Sequence, residues 1–369
     1  MAPPLRGRSF LATLGLVVLS IVALSLVDMS LASLERQETQ AEAARLFAQG
    51  RTLMQKGQNL QAIDHLEDAL AIQRTNRDYW RTLAQAEVEA GKDTDAESTL
   101  TQLLESDSTD GLSSLLMARL LAKQGRFNDA VSYFHRAIYG TWQTNAAQNR
   151  QRARFELIDL LAQQNSKEDL LAELLPLQDD APKDPNTKIR IGQLLLVAGS
   201  PTRAEDTFRA VLHEEPSNAD AQAGLGEAEF ARGNYRTAQH DFQLASRIAP
   251  DNKLIRQRLD LCDELLHLDP TLRGIDSQER YYRSLHLVDL TSSEVTLCFD
   301  QNQSPEVRDL LSKADSALHA HVNASHLSDS SEANLDLAEQ LWQVRKKDCK
   351  SSAPVDNALA LLFARLAQR

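Results

Sequence analysis

Cysteine is scarce: Cys262, Cys298 and Cys349 are the only three in 369 residues, and no two of them make a CxxC pair. No zinc ribbon, thioredoxin-like motif or haem-attachment motif can be built from that spacing. Aromatic residues make up only 5% of the chain, whereas Ala, Leu, Gln and Glu are plentiful, a balance that favours helices over pleated sheets. A basic surplus is missing as well. The net charge of −12 argues against a nucleic-acid partner, which would need a cationic face to neutralise phosphates. Also absent are a nucleophile elbow, a phosphate loop, a dinucleotide fingerprint and an HExxH motif. The carboxylates are scattered without a pairing that would make an acid–base site. His319 and His321 would point about 200° apart on one helix, so with His326 they form no metal site. The expectation is a chain with no catalytic residue, no metal and no cofactor.

What the chain has in plenty lies first at its N-terminus. Residues 1–9 carry Arg6 and Arg8 and no acid, and residues 10–27 are free of charge. Eighteen residues in a helix rise about 27 Å, close to the hydrocarbon thickness of a bilayer and long for the core of a cleaved signal. Residues 10–27 therefore read as a transmembrane signal-anchor. Ser30 and Ala32 leave open a removed signal peptide, which would release a soluble periplasmic or secreted protein. With the arginines inside, everything beyond Asp28 lies outside the cytoplasm, on the periplasmic side of a bacterial inner membrane. Residues 28–42 read as a polar helical spacer.

Beyond the spacer a pattern recurs every 34 residues. Gly57, Ala62, Leu66 and Ala69 are followed by Gly91, Ala96, Leu100 and Leu103, and then by Gly125, Ala130, Phe134 and Ala137. After an offset of six residues around 139–145 the pattern weakens. It returns in Gly192, Gly199, Ala204, Phe208 and Pro216, and again in Gly226, Gly233, Tyr235, Ala238, Phe242 and Pro250. A fixed period of this length marks stacked helix pairs, with Gly at turns, small residues where helices approach, and Pro as punctuation.

On these residues the chain resembles the tetratricopeptide repeats. The resemblance implies an all-α, right-handed superhelical solenoid of about six helix-turn-helix units over residues 43–252. Its units are 43–76, 77–110, 111–144, a degenerate fourth at 151–184, 185–218 and 219–252. A capping helix at 253–271 and a C-terminal α-helical domain at 272–369 follow. A more irregular seventh and eighth pair is the alternative for that last stretch.

The resemblance also implies that the first helix of each pair lines a concave groove for protein or peptide partners. The repeat register places Phe47, Arg51, Arg81, Gln85, Leu115 and Arg119 there in the first half. In the second half it places Phe155, Asp159, Ile189, Gln193, Glu227 and Phe230. The first set is basic and apolar and the second acidic and apolar, a gradient that would orient a complementary segment. Read as ordinary solvated helix faces, the same residues need no partner. The Lys and Asn set with which some family members clamp a C-terminal carboxylate is missing, since Phe47, Arg81, Leu115 and Arg119 stand in its place.

Beyond residue 272 four helical patterns follow, at about 278–299, 305–322, 331–346 and 354–367. Cys298 and Cys349 each fall at a helix end, where they either form a disulfide in an oxidising compartment or stay as two buried thiols. Cys262 sits among leucines as a core residue. The function implied is a membrane-tethered interaction scaffold for assembly or organisation of cell-envelope complexes. The contrasting reading is an enzyme with an unrecognised site in the C-terminal helices.

Overall fold

A computed structural model describes residues 6–179, 184–299, 304–349 and 354–367. Among the described residues the regular structure is helical, apart from one isolated bridge between Asp110 and Thr141. The chain forms two compact units, Met1–Leu160 and Leu161–Arg369.

The first unit opens with α1 (Arg6–Gln55), 50 residues without a break. No Gly or Pro occurs between Gly15 and Gly50, so nothing in the sequence stops the helix where an anchor, a spacer and a first repeat would meet. At 1.5 Å per residue this rod is about 75 Å long. Leu24, Leu26, Val27, Met29, Leu31 and Leu34 are exposed along it. Among the described residues no helix is long and apolar enough to cross a membrane. The run at 10–27, where an anchor is expected, lies mostly outside the residues whose side chains are described.

The C-terminal turns of α1 pair with α2 (Asn59–Ile72), and Gly50 allows the close approach. A Cβ there would stand 2.8 Å from Cγ of Leu66. Next come α3 (Arg77–Ala90) with α4 (Asp93–Ser106), and α5 (Gly111–Lys123) with α6 (Phe127–Tyr139). Helix α3 shows the local logic. Asn76 accepts from the backbone N–H groups of Asp78 and Tyr79 at its start. Gly91 ends it in the left-handed region at φ 76°. Ala62, Leu66, Ala96, Leu100, Leu115, Ala130 and Phe134 fill the interior, so the recurring small and bulky positions are packing positions.

The six-residue offset is the loop between α6 and α7 (Ala146–Gln163). Trp142 turns inward there: its Nε1 donates to the carbonyl of Ala137, and its ring lies over Gly111, where a Cβ would meet it at 2.5 Å. Beyond the loop the period resumes unseen. Asn165 takes φ 55° in the turn after α7, 34 residues before Gly199 and 68 before Gly233. Asn is the non-glycine residue that best tolerates this region, so the fourth repeat keeps its turn without its glycine.

The second unit continues with α8 (Lys167–Asp179), α9 (Pro185–Val197) with α10 (Pro201–Glu214), and α11 (Ala219–Ala231) with α12 (Tyr235–Ile248). Asp184 and Asn218 cap α9 and α11, and Pro opens α9 and α10, where its missing N–H costs nothing. Phe208, fully buried, is a wedge between α9 and α11. A Cβ on Gly192 or on Gly224 would come within 2.6 or 2.4 Å of its ring.

Helix α13 (Lys253–Leu268) covers α12, packing Ile255 and Cys262 against Phe242 and Ala245. The rest of the unit is α14 (Ser277–Phe299), α15 (Pro305–Leu318), a single 3-10 turn at Ala324–His326, α16 (Leu327–Asp348) and α17 (Pro354–Leu366). Helices α14 and α16 lie side by side. Leu287, Val288, Val295, Leu341 and Leu362 share one core, and Phe363 stacks on Trp342 with ring centroids 5.4 Å apart. Helix α15 stops at Leu318, earlier than the pattern to 322 suggests, and α16 starts at Leu327 rather than at 331. A disulfide joins Cys298, near the end of α14, to Cys349, just past α16, with Cα atoms 5.9 Å apart.

Candidate functional site

The second unit holds a cleft of 1410 Å³ between its repeat helices and its C-terminal helices. Helix α11 contributes Asp220, Ala223 and Glu227 to it, one helical turn apart. Helix α13 contributes Leu254, Ile255, Arg258, Leu261 and, along one edge, Asp260 and Glu264. The opposite wall is Trp342, Arg345 and Lys346 of α16 and Phe363 of α17. Leu254 is 72% exposed, a large apolar side chain left in water at the mouth.

Two of the cations in the cleft are spoken for. Arg258 Nε donates to Glu227 Oε1 at 2.7 Å, and its guanidinium lies 5.2 Å from the centre of the Phe230 ring. Burial raises the Glu227 carboxyl and the Arg258 charge works against that shift. Arg345 is buried, bonds Glu294 at 3.1 Å and stacks over Trp342. Asp220, Asp260, Glu264 and Lys346 make no ion pair among the described residues. Burial without a counter-charge pushes the Glu264 carboxyl up.

The residues expected to line a groove scatter over both units. Gln193 and Glu227 do line the cleft, whereas Phe230 does not line it and lies under the Arg258 guanidinium. Ile189 is buried. In the first unit Arg81 and Leu115 are buried and cannot face a groove. Leu115 is fully enclosed. Arg81 donates to Asp110 at 2.9 Å and to Asp78 at 2.6 Å, so its charge is spent inside the fold. Arg119 is held bidentately by Glu156 of α7 at 2.6 and 2.7 Å. Phe47 stacks on Tyr79 with centroids 4.3 Å apart, and Arg51 lies over Phe47 at 5.8 Å. Gln85 bonds Glu89, and Phe155 and Asp159 are half-buried on α7.

Most of the cleft was missed because α13 reads as a cap. A helix covering one neighbour needs one apolar face. Here Ile255 and Cys262 form that face, while Leu254 and Leu261 lie off it, a second apolar stripe that signals another wall.

No group of three or more metal-ligating side chains comes together among the described residues. The first unit does hold one strongly perturbed acid. Glu87, 4% exposed, has one carboxylate oxygen without a hydrogen bond, and burial pushes the group up to about 7. The Thr99 hydroxyl works against the shift, while Asp95 and Glu67 add to it. A carboxyl raised in the folded state makes that state bind the extra proton, so stability is full below about pH 4.5 and falls as pH rises towards 7. The Glu87→Gln variant is expected to be more stable at pH 8 by about 3 kcal/mol, with the gain vanishing near pH 4.5. Urea melts at the two pH values check this; an equal effect at both would remove the burial argument.

Models of the tetratricopeptide repeat match residues 53–120 in the first unit and 189–253 in the second. No curated protein matches the chain by sequence. Among solved structures, the C-terminal part of a TPR repeat-containing protein from Cytophaga hutchinsonii is 13% identical with a TM-score of 0.47, over 71% of this chain and 98% of that one. YrrB, described as a TPR protein with an unusual peptide-binding site, is 18% identical with a TM-score of 0.42, over 52% and 96%. PilW, described as a widely conserved type IV pilus biogenesis factor, is 16% identical with a TM-score of 0.40, over 59% and 98%. Glycine-ended helix pairs at a 34-residue period and a family match in each unit identify residues 53–120 and 189–253 as tetratricopeptide repeats.

Proposed function

We propose that this protein is an interaction scaffold that holds a polypeptide segment in the cleft of its second unit, and that residues 10–27 tether it to a bacterial inner membrane with the repeats on the periplasmic side. The observation that carries the binding role is the cleft itself. Its 1410 Å³ exceeds the roughly 300–1,000 Å³ usual for small-molecule pockets, and its floor is apolar with an exposed leucine at the mouth. Volume of that order suits several side chains of a chain segment. The family supplies the general expectation, since tetratricopeptide repeats are protein-binding modules.

Support for the tether is the uncharged run at 10–27 behind Arg6 and Arg8, joined to the repeats by an unbroken helix. The disulfide between Cys298 and Cys349 adds to it, because such bonds persist in oxidising compartments. A role in organising envelope complexes follows from that placement.

Photo-crosslinking in intact cells tests the binding role. Probes at Leu254 and Lys346 are expected to trap discrete partners that a probe at Asp206, exposed on α10, does not; the same adducts from all three sites would end the reading. Resistance to carbonate extraction is expected of the tethered form. A mature N-terminus near Ala32 would instead establish the cleaved, soluble alternative.

A further inference from the structure

The cleft of the second unit has an uneven account of charge. The pairs Glu227–Arg258 and Arg345–Glu294 are each neutral within the fold. What remains on its lining is Asp220, Asp260 and Glu264 against Lys346 alone. Asp260 and Glu264 stand four residues apart on α13, which puts their carboxylates on one face about 6 Å apart at the base. On the same helix the cleft is lined by Leu254, which is exposed, and by the half-buried Leu261.

We propose that the occupant is a cationic, apolar-anchored protein segment: a large apolar side chain seated on Leu254 and Leu261, flanked by Lys or Arg side chains one helical turn apart that meet Asp260 and Glu264. This rests on the reading of the cleft as a protein-binding site and adds the chemistry of the partner. An acidic segment would meet three unpaired carboxylates and a single lysine, and juxtaposed like charges oppose binding. Phosphate-bearing ligands face the same field. Partial burial without a counter-charge raises the Glu264 carboxyl, a cost that comes from its own surroundings. An incoming guanidinium or ammonium would relieve that cost.

The test uses the full chain in nanodiscs of zwitterionic lipid, with empty nanodiscs as the blank. The probes are three fluorescein-labelled twelve-residue peptides, of Leu and Lys, of Leu and Glu, and of Ser and Lys. Fluorescence anisotropy is expected to show the Leu/Lys peptide binding at least tenfold more tightly than either of the others. Asp260→Asn combined with Glu264→Gln should weaken it five- to tenfold while leaving the circular dichroism spectrum unchanged. Equal or better binding of the Leu/Glu peptide overturns the proposal, as does Leu/Lys binding untouched by the double substitution. No binding by any peptide, with self-association that the double substitution abolishes, would make the occupant a second copy and also overturn it. Cleft-specific crosslinks in cells alongside a failed charge preference would remove this proposal and leave the protein-binding role standing.

Discussion

The Arg81→Ala variant is expected to lose about 3–5 kcal/mol of stability in the first unit, seen as an earlier urea transition by circular dichroism. Arg81 is 8% exposed and Asp110 is 5% exposed. Removing the guanidinium leaves the Asp110 carboxylate inside the fold with only the Ser113 hydroxyl as a side-chain donor. An uncompensated buried charge costs far more than the net worth of the pair that held it. The damage should spread, because Asp110 stands at the start of α5 and pairs through its backbone with the loop after α6. There the Gly111 N–H donates to the Thr141 carbonyl at 2.9 Å.

Replacing both partners separates this account from a simple loss of packing. Arg81→Leu with Asp110→Leu removes the charge that would be stranded, so the double variant should recover most of the loss. Arg81→Lys keeps the charge but not the two-pronged donation to Asp110 and Asp78, and should fall between them. An unchanged midpoint in Arg81→Ala would mean that the side chain is free for a partner after all.

Arg81 also shows where sequence reasoning stopped. Register alone placed it on the groove side of its helix. What it meets is decided by Asp110, 29 residues along and in the next helix pair, and nothing in a repeat pattern ranks that partner over solvent. The glycine turns were legible because only a residue that tolerates φ near 75° recurs there at a fixed period. Asn165 was not, because a residue with ordinary uses elsewhere does not announce a left-handed turn. The cleft was legible in part. Gln193 and Glu227 lie on repeats whose register was known, whereas Leu254, Asp260, Glu264, Trp342 and Phe363 belong to helices outside the period. Their meeting depends on tertiary packing, which a local pattern does not encode.

Reduction of the disulfide, or Cys298→Ser with Cys349→Ser, is expected to cost the second unit about 4 kcal/mol, the loop-closure entropy of a loop of this length. The two cysteines are 51 residues apart, and the loop they close contains α15, the 3-10 turn and all of α16. Without the bond, the unfolded chain regains the freedom of that whole loop. In the folded state, α14 and α16 still share the core of Leu287, Val295 and Leu341, so the helices should stay formed while the unfolding midpoint drops. Cys262 provides the internal control. Burial pushes its thiol up to about 12, so at pH 8 almost none is thiolate and alkylation of the native protein should be negligible. Reduction should then expose two reactive thiols and leave Cys262 silent until urea unfolds the unit. Because Cys349 also lines the cleft beside Lys346 and Arg345, the reduced protein should bind the Leu/Lys peptide more weakly if the end of α16 frays. An unchanged urea midpoint after reduction would show that packing of α14 on α16 alone sets the stability of this region.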